Sequence, residues 1–301
     1  MVAILVTGGS GQVGKALGAL DWPGDVQLWA PDRHDLDLAN PASVAAAMAR
    51  QRWDVVINCA AYTAVDLAEA ERFRAFAVNA HGAAHLAAAA FACDTPMLQV
   101  STDFVFAGDL GRPCREDDPT RPLSVYGASK LAGELAVRFI QPRSVVLRTS
   151  WVVSASGSNF LMTILRLAAT SERLRVVGDQ LGSPTGAADL ALALQVIALR
   201  LARDPAAPLG TYHFSNAGQA SRAEFAAAIV AASASLGGRS PEVEAIATAD
   251  YVTQARRPAD SRLDCARLHC DYALYARPWQ DMVKAVVSQC LLPGPTSGGM
   301  A

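Results

Sequence analysis

Glycines placed directly behind a short β-branched run constrain this chain more than any other feature. Val2–Val6 is apolar and leads through Thr7 into Gly8-Gly9-Ser10-Gly11-Gln12-Val13-Gly14. Beyond the turn, Val13, Ala16, Leu17 and Leu20 recur at helical spacing. A strand that enters a glycine turn and leaves it as a helix is the opening unit of a dinucleotide-binding fold. Gly8, Gly11 and Gly14 satisfy G-x-x-G-x-x-G, while Gly9, Gly11 and Gly14 also satisfy G-x-G-x-x-G. A side chain there would keep a pyrophosphate away from the helix N-terminus, whose free N–H groups attract anions. Gln12 and Val13, inside the same turn, join the expected cofactor contacts.

The first half continues the strand–helix alternation. Val26–Ala30 reads as the second strand and is followed by Asp32-Arg33. An acid here accepts from adenosine ribose hydroxyls and an arginine meets a 2′-phosphate, so NADH and NADPH both stay open. Asp37-Leu38 falls where the adenine should rest, and Pro41–Arg50 reads as a helix. Asp54–Asn58 is a third strand, unbroken and apolar as expected of a strand buried on both faces. It ends in Cys59-Ala60-Ala61-Tyr62-Thr63, where small residues let the loop pass close to a cofactor. A long helix over Glu71–Cys93 carries Asn79, which is expected to act as a structural hydrogen-bonder. Pro96–Ser101 and Val145–Thr149 are the fourth and fifth strands. The pattern predicts an α/β chain: a Rossmann-type doubly wound parallel sheet with a smaller α/β substrate-binding lobe. The expected division is residues 1–150, rejoined by about 186–215, as the dinucleotide-binding domain. Residues 151–185 and 216–290 form the lobe, and 293–301 read as a disordered tail.

Chemistry is expected in Leu123–Leu135, LSVYGASKLAGEL, where Tyr126 and Lys130 stand four residues apart. On a helix that spacing puts both side chains on one face. A cation one turn from a phenol favours the phenolate and makes the phenol a better proton donor and acceptor. Alone, such a pair is most often a solvated helix face. Thr102 closes the fourth strand, at the carboxyl end that lines the ligand crevice of a parallel sheet. Its hydroxyl suits either a substrate carbonyl or a local strand-end cap.

Composition excludes several classes. The chain has 301 residues, 18% of them charged, with a formal net charge of −2, which argues against a nucleic-acid surface or a basic membrane face. The first apolar run is too short to span a bilayer, and no charged n-region or cleavage site precedes it. Six cysteines show no C-x-x-C pair and no metal-ligand spacing. These features point to a cytoplasmic protein with reduced thiols.

TGGSGQVG, NCAAYTAVD, STDFVF, YGASKLAGE and RTSW occur in this order, followed by DQLGSPTG over Asp179–Gly186 and RRPADSRL over Arg256–Leu263. Together they resemble an extended short-chain dehydrogenase/reductase and, more narrowly, the dTDP-4-dehydrorhamnose reductase family, over residues 1 to about 290. The resemblance implies NADPH- or NADH-dependent reduction of the C4 ketone of dTDP-4-dehydro-L-rhamnose to dTDP-L-rhamnose. Tyr126 would give its proton to the alkoxide, Lys130 would lower the tyrosine pKa and hold the nicotinamide ribose, and Thr102 would bond the reacting oxygen. Trp151, Gln180 and Arg257, with Asp103, would face the nucleotide-sugar, Arg257 through the pyrophosphate. The family usually has Asn where Asp260 stands, which would put a charge opposite an anionic ligand. Some members hold a divalent ion between subunits through carboxylates, but Lys15-Ala16 and Ala187-Ala188 stand where such acids would sit, so no metal is expected. The expected partner is a nucleotide-sugar, with no nucleic acid and no membrane, and the protein is expected to be a monomer or homodimer. Two other readings remain: a reductase of another nucleotide 4-keto-6-deoxy sugar, and a non-catalytic NADP-binding regulatory subunit. Retention of Thr102, Tyr126 and Lys130 together argues against the second.

Overall fold

The computed structural model describes residues 1–291, so the tail expected over 293–301 lies outside the described residues. Six strands form one sheet: β1 (Val2–Thr7), β2 (Val26–Trp29), β3 (Val55–Asn58), β4 (Met97–Thr102), β5 (Ser144–Thr149) and β6 (Gly210–His213). Their spatial order is β6-β5-β4-β3-β1-β2, and every neighbouring pair is parallel. Both β3 and β5 are buried along their whole length, and β3 accordingly reads as an unbroken apolar run, while β5 buries Arg148 among its apolar residues. The strand order reverses beside β1, with β2 on one flank and β3 on the other. A crevice opens at such a reversal, outside the carboxyl ends of the strands.

Register sets those ends level. Thr7 lies opposite Asn58, Asn58 opposite Gln99, and Thr102 opposite Thr149. Three of these buried polar side chains satisfy one another across the sheet. Thr7 Oγ1 donates to Asn58 Oδ1 at 2.5 Å, Asn58 Nδ2 to Gln99 Oε1 at 2.7 Å, and Gln99 Nε2 to the Val100 carbonyl at 2.9 Å. A ladder with every member paired costs little to bury and pins the strand ends under the crevice.

Four apolar clusters form among the described residues, and two of them bear on the division expected from the sequence. One joins the sheet to the Ala187–Arg203 helix through residues such as Ile57, Leu147, Leu194 and Ile197. The other packs Leu161, Ile164, Phe225, Ile229 and Met282 from the later helices. Leu268 and Tyr272, on a helix within 216–290, join the first core rather than the second.

The helix expected over Glu71–Cys93 is interrupted. It runs as Arg72–Phe76, a π-helical segment Ala77–Gly82, and then Ala83–Ala92. The wide segment holds Asn79, whose side chain accepts from Tyr62 N at 2.8 Å and donates to Tyr62 O at 3.0 Å and Ser129 Oγ at 2.9 Å. Asn79 is thus the structural hydrogen-bonder its setting suggested. The π-bulge turns it toward the loop that leaves β3.

Candidate active site

A cleft of about 710 Å³ lies over the carboxyl ends of the strands, a size suited to small-molecule ligands. Its first wall is the glycine turn. Gly11 caps the Gln12–Gly18 helix, and its N–H donates to the Gly8 carbonyl at 3.0 Å. A Cβ on Gly14 would stand 2.2 Å from the Gly8 oxygen, so the turn cannot close with any other residue there. A Cβ on Gly11 would meet only that oxygen, at 3.2 Å, and Gly11 faces the cleft. Nothing inside the protein therefore demands glycine at position 11 as strongly as at 14. A pyrophosphate brought to the helix N-terminus would demand it, and the turn fits a dinucleotide on that ground.

The loop after β3 forms the facing edge, with Ala60, Ala61, Tyr62 and Thr63 on the cleft. Cys59 lies beside them, and burial pushes its thiol up to about 12, which leaves it a neutral wall. Arg33, Asp37 and Leu38 line the far end. Arg33 pairs with Asp37 at 3.5 Å, its side chain 61% exposed. Asp32 does not reach the cleft. Its carboxylate accepts from His34 N at 2.8 Å and Asp35 N at 3.3 Å, so it caps its own turn. Gln12 and Val13 line the cleft as expected, and Gln12 Oε1 also accepts from Ser154 Oγ (2.8 Å) and Asn159 Nδ2 (2.9 Å).

The reacting group sits between the walls. Ser124 caps the Val125–Ile140 helix by accepting from Gly127 N at 3.1 Å. Tyr126 and Lys130 then fall one turn apart, and both line the cleft with Thr102 and Asp103. Lys130 is 4% exposed and donates from Nζ to the Val100 carbonyl at 2.7 Å, the acceptor that also ends the ladder under the sheet. Burial pulls its ammonium down to about 8, opposed by the negative charge of Glu134. Glu134 lies on the same helix, in a buried ion pair with Arg148 of β5 at 2.8 Å. That pair fastens the helix to the sheet.

The expected influence of Lys130 on Tyr126 is not what dominates. Burial pushes the phenol up to about 12, hydrogen bonding by Thr102 opposes this, and the Asp103 charge raises it further. Burial and the Asp103 charge both favour the neutral phenol, so its proton is held rather than loosened. Thr102 both caps its strand end and lines the cleft. It accepts from Phe104 N at 3.2 Å and donates to Asp103 Oδ1 at 3.0 Å. Asp103, 2% exposed, also accepts from Ser150 Oγ at 2.9 Å, and burial raises its carboxyl despite these bonds.

The second wall comes from the later lobe. Trp151 leaves β5 with φ +48°, a left-handed conformation that costs a non-glycine residue about 1–2 kcal/mol. The bend lays its indole against Gly182, where a Cβ would stand 2.3 Å from the ring, and stacks it on Phe225. Arg257 lines the cleft, but its fork is spent on Asp66, with Nη2 2.7 Å from Oδ2. Gln180 is buried away from the cleft and donates from Nε2 to Thr248 Oγ1 at 3.1 Å. Asp260 does not confront the cleft either, since Arg262 pairs with it at 2.6 Å. Residue-by-residue reading missed Arg222, Phe160 and Asp66, which stand on or across this wall. A short acidic turn, Asp32, His34 and Asp35, brings potential metal-ligand atoms within 4.8 Å of one another, all exposed.

Comparison with known proteins agrees over nearly the whole chain. The family model described as the RmlD substrate binding domain matches residues 2–292. A dTDP-4-dehydrorhamnose reductase of Sinorhizobium fredii is 43% identical over 292 residues, covering 97% of this chain and 98% of that protein. The crystal structure of a dTDP-4-dehydrorhamnose reductase from Bacillus anthracis in complex with NADP superposes with a TM-score of 0.89 at 33% identity, covering 96% of this chain and 100% of that one. A second, from Clostridium acetobutylicum, also gives 0.89 at 33% identity, over 96% and 99% of the two chains. Among the described residues, no helix is long and apolar enough to cross a membrane.

Proposed function

The chain belongs to the dTDP-4-dehydrorhamnose reductase family, and from that premise we propose that it reduces the C4 ketone of dTDP-4-dehydro-L-rhamnose to dTDP-L-rhamnose with NADPH. The observation that carries this reading is the meeting, in one cleft, of Tyr126, Lys130 and Thr102 with the glycine turn. The bound dinucleotide supplies the hydride. Everything else falls to the protein's own side chains.

Tyr126 is the proton donor. Burial near an acid keeps its phenol protonated across the physiological range, so the proton is present when an alkoxide develops nearby. Lys130 remains cationic below about pH 8, within one turn of the phenol. Its charge is worth most after the transfer, when a phenolate must be held in a dry site, and its ammonium is placed to hold a ribose hydroxyl. Thr102 orients the reacting oxygen by turning its single proton from Asp103 toward the cleft. The glycine turn receives the pyrophosphate, Arg33 the 2′-phosphate, and Asp37 and Leu38 border the adenine. Trp151 packs on the nucleotide-sugar, with Asp103 beneath it. Residues 1–150 with 186–215 hold the cofactor; 151–185 with 216–290 hold the sugar. The enzyme is read as cytoplasmic, working as a monomer or homodimer.

Tyr126→Phe tests the mechanism, because it removes one oxygen and leaves the ring on Phe104, 5.6 Å between centroids. Single-turnover hydride transfer should slow by about 10²–10⁴-fold while NADPH affinity and the unfolding midpoint hold. Near-normal transfer would defeat it. Wild-type protein that leaves NADPH unoxidised in the presence of any 4-keto sugar nucleotide would instead indicate a regulatory subunit.

A further inference from the structure

Three arginines line the cleft: Arg33, Arg222 and Arg257. Arg33 pairs with Asp37 and Arg257 with Asp66. Among the described residues Arg222 has neither an ion pair nor a side-chain hydrogen bond; Asp103 acts on it only through space, and Arg257 repels it. What holds it is aromatic. Its guanidinium carbon lies 3.5 Å from the centroid of Trp151 and 5.2 Å from that of Phe160. These rings are fixed in turn by Phe225, stacked on Trp151 at 6.1 Å and on Phe160 at 5.4 Å, and by the bare Cα of Gly182 behind the indole.

A guanidinium held by its face keeps its N–H donors, which lie in its own plane, free for a ligand. The position is set as firmly as the rings. Arg222 opens the Arg222–Ala234 helix directly after Ser221, whose capping box with Glu224 is complete, and its own N–H donates to the Gln180 carbonyl. Burial meanwhile pulls the guanidinium down to about 9, the Asp103 charge opposing this and Arg257 adding to it. A neutral hexose would leave the guanidinium without an ion-pair partner, whereas a diphosphate would supply one with oxygens that match the fork.

We propose that Arg222, clamped by Trp151 and Phe160, receives the diphosphate of the nucleotide-sugar, while Arg257 ties the lobes together through Asp66. This rests on the reductase reading of the cleft and assigns the anion to a different arginine from the one the family motif suggests. Arg222 is a substrate-binding residue and takes no part in the proton transfer.

The test is calorimetric titration of NADPH-loaded protein with thymidine 5′-diphosphate, using wild type, Arg222→Gln and Arg222→Lys. Arg222→Gln should weaken thymidine 5′-diphosphate by about tenfold or more, and Arg222→Lys should recover part of the loss, since a point charge replaces a fork. NADPH affinity should not move. In turnover, Arg222→Gln should raise KM with kcat within about threefold of wild type. Thymidine 5′-diphosphate affinity within about twofold of wild type in folded Arg222→Gln would overturn the assignment. A loss seen only with the intact nucleotide-sugar would overturn it too, by placing the arginine on the hexose. A measurement on the wild type stands apart from variant folding: inorganic pyrophosphate should protect Arg222 from phenylglyoxal, read by peptide mass, and equal labelling with and without it would refute the proposal. Failure of the reductase reading looks different, since the wild type itself would then leave NADPH unoxidised.

Discussion

The two walls of the cleft are made of different material. The cofactor wall is backbone, with Gly11, Gly14 and the Cys59–Thr63 loop presenting amides and empty space. The substrate wall is side chain, with Trp151, Phe160 and Arg222 stacked on Phe225 and drawn from three separate segments. A wall of backbone works by excluding side chains, so it can be broken by adding one atom. A wall of stacked rings works by filling, and it is broken by removing one. The first kind of site is unforgiving at single positions. The second shares its load.

Valine at two glycines should produce the largest effect and split the first wall into its parts. Gly14→Val drives a Cβ into the Gly8 carbonyl oxygen, 2.2 Å away, so the turn must open and the unfolding midpoint should drop sharply. Gly11→Val meets that oxygen at 3.2 Å and should fold, yet NADPH binding should vanish from a calorimetric titration. Unchanged NADPH affinity in Gly11→Val would mean that the pyrophosphate does not rest on this turn.

Legibility follows the same division. The strand–glycine–helix unit, the strand ends at Asn58 and Thr102 and the Tyr126–Lys130 spacing are local, and each was readable because its neighbours in the chain are its neighbours in space. Arg222 carries no such sign. Its partners Trp151 and Phe160 lie more than sixty positions upstream, and the Ser221–Glu224 capping box beside it speaks only of a helix start. Arg257 presents the opposite case. Its fork suits a phosphate, but nothing in the chain announces that Asp66, 191 positions away, occupies it. Asp32 was expected to accept from the adenosine ribose hydroxyls, but the turn through His34 N and Asp35 N claims its carboxylate. Motif reading finds which groups are present; only packing decides which are already engaged.

Beneath both walls, the buried pair Glu134–Arg148 holds the helix of Tyr126 and Lys130 to the sheet, both side chains under 5% exposed. Glu134→Ala strands a buried guanidinium and should cost about 3–5 kcal/mol, measured by denaturant unfolding. It should also move a pH profile. Lys130 titrates near 8 in the folded protein against 10.5 for a free lysine, so between those values the unfolded chain binds more protons. Its burial therefore counts against folding below about pH 8, and that penalty fades as pH rises toward 10.5. Turnover should fall through an alkaline limb near 8 as the ammonium is lost. Removing the Glu134 charge, which supports the ammonium, should shift that limb to lower pH. A limb that stays in place would show that Lys130 is not the group titrating.

Arg33 sharpens the cofactor wall at its one side-chain element. With Asp32 committed to its own turn, Arg33 is the group left to discriminate a 2′-phosphate. Arg33→Ala should weaken NADPH relative to NADH by about 1–3 kcal/mol, as expected for one charge-assisted contact. Equal losses for the two cofactors would reduce Arg33 to a surface residue paired with Asp37.

The smallest effect belongs to the tie between the walls. Asp66 accepts from both Arg257 and the Ala255 N–H, and these bonds hold its carboxyl below the usual range although burial pushes the other way. A depressed carboxylate stabilises the fold above its unfolded value, and the contribution disappears as pH falls through the folded one. The Asp66 side chain is 43% exposed, however, so water and salt screen most of the attraction. Asp66→Asn, which keeps an acceptor for Ala255, should therefore cost at most about 1 kcal/mol at low salt and less at high salt, read as a shift in denaturant midpoint. Its KM for the nucleotide-sugar should rise only a few-fold, because Arg257 would be loosened without being replaced. If Arg257 were instead the diphosphate ligand held in check by Asp66, releasing it would lower KM. The direction of that change, more than its size, decides which arginine the substrate wall offers to the anion.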